Sequence, residues 1–278
     1  MIIKYGEKQK HESEELSILG DKFYARNNFS AAVSCYQKAA ELGDKLAQYN
    51  LALMYDGGEG VEVNHIKAVY WYKKSANAGL PEAQVNLALC YYWGIGTEKD
   101  CKAAYELLTL AGKTGHPNAQ YWLGKFYYSG LYVIISHEKA VEHFKKAAVK
   151  GHGGAQDMLA LLYFNGEGVE QDYSKSRYWF TRAANKGEAH AQFWLGKMFE
   201  FGIGIEKDKG KAAVWYENAA LQGTDEAQNA LGLCLCNSDD KKNFETGLEW
   251  LEKAAAKRYP DAQYNLAVYR QKQKLVET

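Results

Sequence analysis

The glycine clusters Gly57-Gly58-Glu59-Gly60, Gly94-Ile95-Gly96, Gly166-Glu167-Gly168 and Gly202-Ile203-Gly204 are the first residues here whose spacing suggests chemistry. Backbone N–H groups in such loops can cradle phosphate, but a phosphate loop follows a strand and closes on Gly-Lys-Ser/Thr. None of the four closes that way, and all sit at one phase of a repeat, so they read as turns. Metal ligation fares no better. His116 and His152 share a phase, as do His65 and His137. Adjacent helices stand about 8–10 Å apart, whereas metal bonds need about 2 Å. Cys234-Leu235-Cys236 lacks a zinc spacing, and acidic pairs such as Glu14-Glu15 read as solvated helix surface. No Ser/His/Asp or Cys/His set is legible. The expectation is no catalytic residue, no metal and no cofactor.

What remains is aromatic. Trp71, Trp179, Trp215 and Trp250 recur at one phase and read as core, with His143 substituting in its unit. Trp93, Trp122 and Trp194 do not follow that phase. They keep company with Tyr49, Asn50, Asn86, Tyr92, Tyr121, Lys125, Tyr128, Phe164, Phe193 and Lys197. Val85, Leu89, Met158, Leu161, Glu200, Tyr264 and Asn265 occupy the same helical phases. At about 100° per residue these positions turn away from the buried stripe. Exposed apolar patches mark interaction surfaces, and Trp and Tyr dominate interface hot spots. The expectation is a groove that binds a protein or peptide. The alternative is a tightly wound array in which the same side chains pack on its next turn.

The elements that must carry these residues are set by a ruler. Ala-Gln occurs seven times, at Ala47, Ala83, Ala119, Ala155, Ala191, Ala227 and Ala262, in five steps of 36 residues and one of 35. Such a period signals a solenoid, whose units bury their apolar faces only by stacking. Four residues after each Ala stands Leu51, Leu87, Leu123, Leu159, Leu195, Leu231 or Leu266, and the next residue is always Ala or Gly. A small residue there admits a close neighbouring helix. A second helix starts after Asn64, Asp100, Ser136, Asp172, Asp208 and Asn243, each able to cap exposed N–H groups. It ends at Gly79, Gly115, Gly151, Gly187 and Gly223, with Arg258 at the last junction. Fifteen helices are expected: two, then six pairs, then one. One turn departs from the rest: Gly130-Leu131-Tyr132-Val133-Ile134-Ile135-Ser136 carries five apolar residues, either tucked onto the array or offered to a partner.

Bulk properties agree. Of 278 residues 47% are hydrophobic, ample for a core. Lys plus Arg and Asp plus Glu are both 34, which leaves no basic excess for nucleic acid. No segment approaches the roughly 18–20 apolar residues of a membrane helix, and residues 1–7 lack a signal-peptide core, so a cytoplasmic protein is expected unless the chain has been trimmed. Five cysteines, odd in number and out of phase with the repeat, read as free thiols.

The unit Ala-Gln-x-x-Leu-Gly-x-x-Tyr, then Gly-x-Gly-Val, then Lys-Ala-x-x-Trp-Tyr resembles the Sel1-like repeat, most clearly over Ala155 to Gly187 and Ala191 to Gly223. The N-terminal unit, with Leu19, Gly20, Tyr24, Ala32, Tyr36 and Ala39, is more similar to the tetratricopeptide repeat. The resemblance implies an all-α, right-handed superhelical α/α solenoid whose first helices line a concave surface. Its parts would be a tetratricopeptide-like unit over 13–46, six Sel1-like repeats over 47–259 and a capping helix over 260–278, in one domain. It also implies a non-enzymatic scaffold. An inhibitor or immunity-type protein that sequesters a bacterial toxin or effector enzyme is the alternative. A hydrolase, as claimed for some cysteine-rich relatives, lacks both the regular cysteine pair and a legible nucleophile with its base.

Overall fold

Every Ala of the sevenfold Ala-Gln is the third residue of a helix and is fully buried. The computed structural model describes the backbone of residues 2–238 and 240–277 and the side chains of residues 9–238 and 240–273. Among the described residues the fold is all-α, with fifteen helices. They divide into two compact units, residues 1–147 and 148–278. The first holds α1 (Ile2–Tyr24), α2 (Phe29–Glu41), α3 (Lys45–Gly57), α4 (His65–Asn77), α5 (Pro81–Trp93), α6 (Cys101–Lys113), α7 (Pro117–Ser129) and most of α8 (His137–Val149). The second holds α9 (Gly153–Asn165), α10 (Tyr173–Ala184), α11 (Ala189–Phe201), α12 (Lys209–Leu221), α13 (Asp225–Cys236), α14 (Lys241–Ala256) and α15 (Pro260–Glu277). Within each unit successive helices pack side by side.

Helix starts follow the expected chemistry. Asn64, Asp100, Asp172 and Asp208 accept the N–H three residues on at 2.9 Å, and Ser136 does so at 3.3 Å. Asn243 does not cap a helix. Asp240 does, accepting from the N–H groups of Lys242 and Asn243, because α14 begins three residues earlier than the repeat phase implies. Arg258 takes the left-handed φ of 65° at the last junction, as the glycines do at the others.

The cores are built from the repeat. In the first unit Leu51, Ala52, Leu87 and Ala88 face Ala68, Tyr72, Ala104 and Leu108, all buried. The small residue after leucine has the expected reason. A Cβ on Gly124 would stand 2.7 Å from the Phe144 ring, and one on Gly196 2.6 Å from the Tyr216 ring.

The Gln of each Ala-Gln has a structural task. Gln48, Gln84, Gln120, Gln156, Gln192, Gln228 and Gln263 each donate Nε2–H to the carbonyl eight residues earlier, at 2.7–3.4 Å. Those carbonyls lie in the last turn of the preceding helix, where each also accepts the N–H of the junction residue three positions on, so the Gln supplies a second bond. The pair thus buries one residue and closes one helix end.

Candidate partner-binding site

In the first unit, the turn of α5 that leads into its glycine cap presents Tyr92 and Trp93, and the middle of α7 presents Tyr121, Trp122 and Lys125. The Tyr92 ring lies 4.6 Å from Trp93 and 5.2 Å from Trp122, edge-on or tilted, as aromatic quadrupoles prefer. Trp93 and Trp122 are 6.4 Å apart, and Tyr121 is 5.8 Å from Trp122. Lys125 Nζ sits 5.6 Å from Trp122, and Lys99 Nζ 5.9 Å from Tyr92, both within cation–π range. Trp93 is 60% exposed, unusual for so large an apolar ring, while its neighbours are half-buried.

The other residues of the expected groove in this unit are tied inward. Tyr49 packs 6.0 Å from Tyr72, and Asn86 donates to both phenol oxygens, at 3.5 and 3.4 Å. Asn50 donates to Asp21, and Tyr128 packs 5.3 Å from His137. The irregular turn does two things. Leu131 and Val133 pack on the core, while Ile134 and Ile135 project with 90% and 58% exposure.

In the second unit Trp194 is the centre. Phe164 lies 4.9 Å away, buried Phe180 stacks parallel at 6.1 Å, Phe193 flanks at 6.3 Å, and Lys197 Nζ stands 4.5 Å over the indole. The Trp194 indole N–H is donated to His190 Nε2 at 2.9 Å, and His190 Nδ1 meets the Asp157 carboxylate at 2.8 Å. Phe193 reaches Tyr216, whose hydroxyl donates to Glu200 at 2.6 Å. Desolvation first, then that carboxylate, raises the Tyr216 pKa, so the phenol stays a donor. Asn265 donates to Asn229, and Tyr264 is exposed.

Sequence reasoning missed His190 and Asp157. The available signal was an acid at a phase held elsewhere by Tyr49, Val85, Tyr121 and Phe193, since a carboxylate there must find a partner. The recurrent tryptophans behave as core: Trp71 is buried, and Trp179, Trp215 and Trp250 pack against the clusters of their unit. Burial pushes the Cys90 and Cys236 thiols up to about 11, away from thiolate chemistry. Among the described residues no three His, Cys, Asp or Glu side chains gather as a metal set, and no helix is long and apolar enough to cross a membrane.

The Sel1 repeat model matches eight successive stretches: residues 19–44, 45–80, 81–116, 117–152, 154–188, 189–224, 225–259 and 260–273. The chain is similar to a protective antigen of uropathogenic Escherichia coli with this fold, at 33% identity and TM-score 0.82 over 94% of its own length. It spans 58% of that antigen. A Sel1 repeat protein from Oxalobacter formigenes is 30% identical, with TM-score 0.80 over 88% of this chain and 99% of that one. An immunity protein from Pseudomonas aeruginosa shares the fold at 23% identity and TM-score 0.50, over 75% of this chain and 83% of that one. No protein of curated function matches the chain.

Proposed function

The chain belongs to the Sel1 repeat family, whose members generally mediate protein–protein interactions, and on that premise we propose that it is a non-enzymatic scaffold binding a protein or peptide partner through aromatic surface on its first helices. The observation that carries this reading is the patch of Tyr92, Trp93 and Trp122 with Lys99 and Lys125 beside it, in which one large indole stands exposed. Phe164, Phe193, Trp194 and Lys197 form the counterpart in the second unit. Aromatic rings flanked by cations give interface energy that single exposed residues do not.

Affinity capture from the native host tests it. Trp93→Ala combined with Lys125→Glu should abolish capture of a partner that the unaltered chain retains, with helicity unchanged. Equal capture by the variant removes the reading. These substitutions are chosen over Trp194 and Tyr128 because the latter pack on Phe180 and His137. An inhibitor or immunity-type role is a special case that would give a tight one-to-one complex with an enzyme, and the stoichiometry of the captured complex separates it from an adaptor.

A further inference from the structure

The first unit holds another constellation, apart from the aromatic patch. Asp21 and Tyr24 near the end of α1, Tyr36 on α2, Asn50 on α3 and Glu59 in the following turn line a cavity of about 240 Å³, with Leu53 and Met54 as its apolar wall. Tyr36, 3% exposed, donates its hydroxyl to Asp21 Oδ1 at 2.6 Å, and Asn50 Nδ2 lies 3.4 Å from the same oxygen. Both donors converge on one oxygen of this cavity-lining carboxylate. The Glu59 carboxylate beside the Tyr24 phenol raises the Tyr24 pKa, first by its pull on the phenol proton and then by its charge. Among the described residues neither Asp21 nor Glu59 has a Lys, Arg or His partner.

The second unit supplies a contrast. Tyr216 occupies the same repeat phase as Tyr36 and donates to Glu200 at the same 2.6 Å, in a cavity of about 210 Å³ that also carries Glu226 and Tyr259. There Lys197 lies in the lining, so the protein provides its own cation. The first cavity has the carboxylates and phenols without the lysine.

We propose that the Asp21–Glu59 cavity binds an alkylammonium group. Two carboxylates in one small recess attract a cation more strongly than either would alone on open surface. The phenol rings offer cation–π contact, and Leu53 with Met54 accepts the methylene chain behind the charge. Ligand pockets for cofactor-sized molecules run from about 300 Å³ upward, so this volume suits a single amine-bearing chain. The ammonium belongs either to a lysine side chain of a protein or to a free diamine.

Calorimetric titration of the full chain with Nα-acetyl-lysine amide, putrescine and the uncharged isostere Nα-acetyl-norleucine amide tests the assignment, with the Met54 methyl resonance as a local reporter. Saturable binding of at least one cation is expected, with no binding of the norleucine amide. Asp21→Asn and Glu59→Gln should each weaken it at least tenfold, whereas Glu200→Gln leaves it unchanged. The side-chain amide introduced by Asp21→Asn still accepts the Tyr36 hydroxyl, so the variant folds, and circular dichroism verifies that. Preference for the lysine amide assigns the ligand to a protein side chain, and preference for putrescine to a free diamine. No saturation with either cation, equal binding of the norleucine amide, or unchanged binding in both acidic-site variants overturns the proposal. None of these residues belongs to the α5–α7 patch, so the outcome is independent of partner capture.

Discussion

His190 Nδ1 lies 2.8 Å from Asp157 Oδ2 and 2.9 Å from Oδ1, while Nε2 of the same ring accepts the Trp194 indole N–H at 2.9 Å. The two contacts pull the ring in opposite directions. The carboxylate favours the imidazolium, whereas Trp194 needs a lone pair on Nε2 and so favours the neutral ring. Asp157 is almost fully buried, and its hydrogen bond raises the His190 pKa against the opposing effect of burial, with Glu226 adding a smaller push.

Acidification therefore charges His190 above the ordinary 6.5 and takes away the acceptor of Trp194. A histidine pKa raised by folding contributes stability that is fully present below the unfolded value and is lost as pH rises through the folded one. Asp157→Asn should lower the His190 pKa in an NMR titration and cost more stability at about pH 5.5 than at about pH 8.5. Trp194 emission should change along the same curve. A His190 titration at or below 6.5 in the unaltered chain contradicts the ion pair.

Gln120 and Gln156 occupy the same phase with different satisfaction. Gln120 donates to the Gly112 carbonyl at 2.7 Å and accepts His143 Nδ1–H at 2.7 Å. Gln156 donates to the Ala148 carbonyl, but its buried Oε1 has no partner among the described residues. Gln120→Leu strands a buried ring N–H and should cost about 2–4 kcal/mol, whereas Gln156→Leu removes an orphan along with one bond and should cost about 1 kcal/mol or less. Urea unfolding of both variants checks this, and equal losses refute it. Burial also holds the His143 pKa low, so its penalty appears as pH falls below 6.5, where the unfolded chain takes up a proton the folded chain refuses.

The repeat made some of this readable and hid the rest. Ala47, Leu51 and Ala52 could be assigned to a buried face because 3.6-residue periodicity acts through each residue alone. Caps such as Asp172 were readable because the acceptor and its N–H lie three residues apart. Asn243 was misread because the last pair loses the Gly-x-Gly turn that fixes phase elsewhere. The glutamines escaped notice since their partner is a main-chain carbonyl, which no side-chain pattern announces. Asp157 and His190 are 33 residues apart and meet only after α9 and α11 are placed. For the site, Trp93 and Trp122 were recognisable as exceptions to the repeat. That Tyr49 and Asn86 satisfy each other was not, because phase gives a direction and not a contact.

Gly124→Ala sets propensity against packing. Alanine is favoured over glycine inside a helix by about 1 kcal/mol, yet its Cβ would stand 2.7 Å from the ring of Phe144, which is fully buried and cannot retreat. Overpacking should win and give a net loss of about 1–3 kcal/mol. Gly57→Ala is the control, since the nearest atom to its Cβ would be 3.8 Å away. Thermal unfolding of the two variants should move in different directions or by clearly different amounts, and a stabilised Gly124→Ala refutes the close approach.

The irregular turn carries the last prediction. Gly60, Gly96 and Gly204 have φ of 71°, 69° and 63°, and Tyr132, at the same phase, adopts 66°. A left-handed conformation is strained for a residue with a Cβ. The earlier repeats need glycine for a further reason: a Cβ on Gly60 would stand 2.5 Å from the Phe29 backbone, and one on Gly96 would collide with the His65 carbonyl. The residue at that facing position for Tyr132 is Cys101, which packs on the same core cluster as Leu131 and Val133. Tyr132 in turn sets its ring 5.7 Å from Tyr105. Ring packing and backbone strain are each about 1 kcal/mol and oppose one another. Tyr132→Gly should accordingly leave stability within about 0.5 kcal/mol of the unaltered chain, because it removes both. Tyr132→Val keeps the strain, adds β-branching and loses the ring, so it should cost about 2 kcal/mol. Denaturant midpoints decide it. A Tyr132→Val variant as stable as Tyr132→Gly means that the turn is not held left-handed.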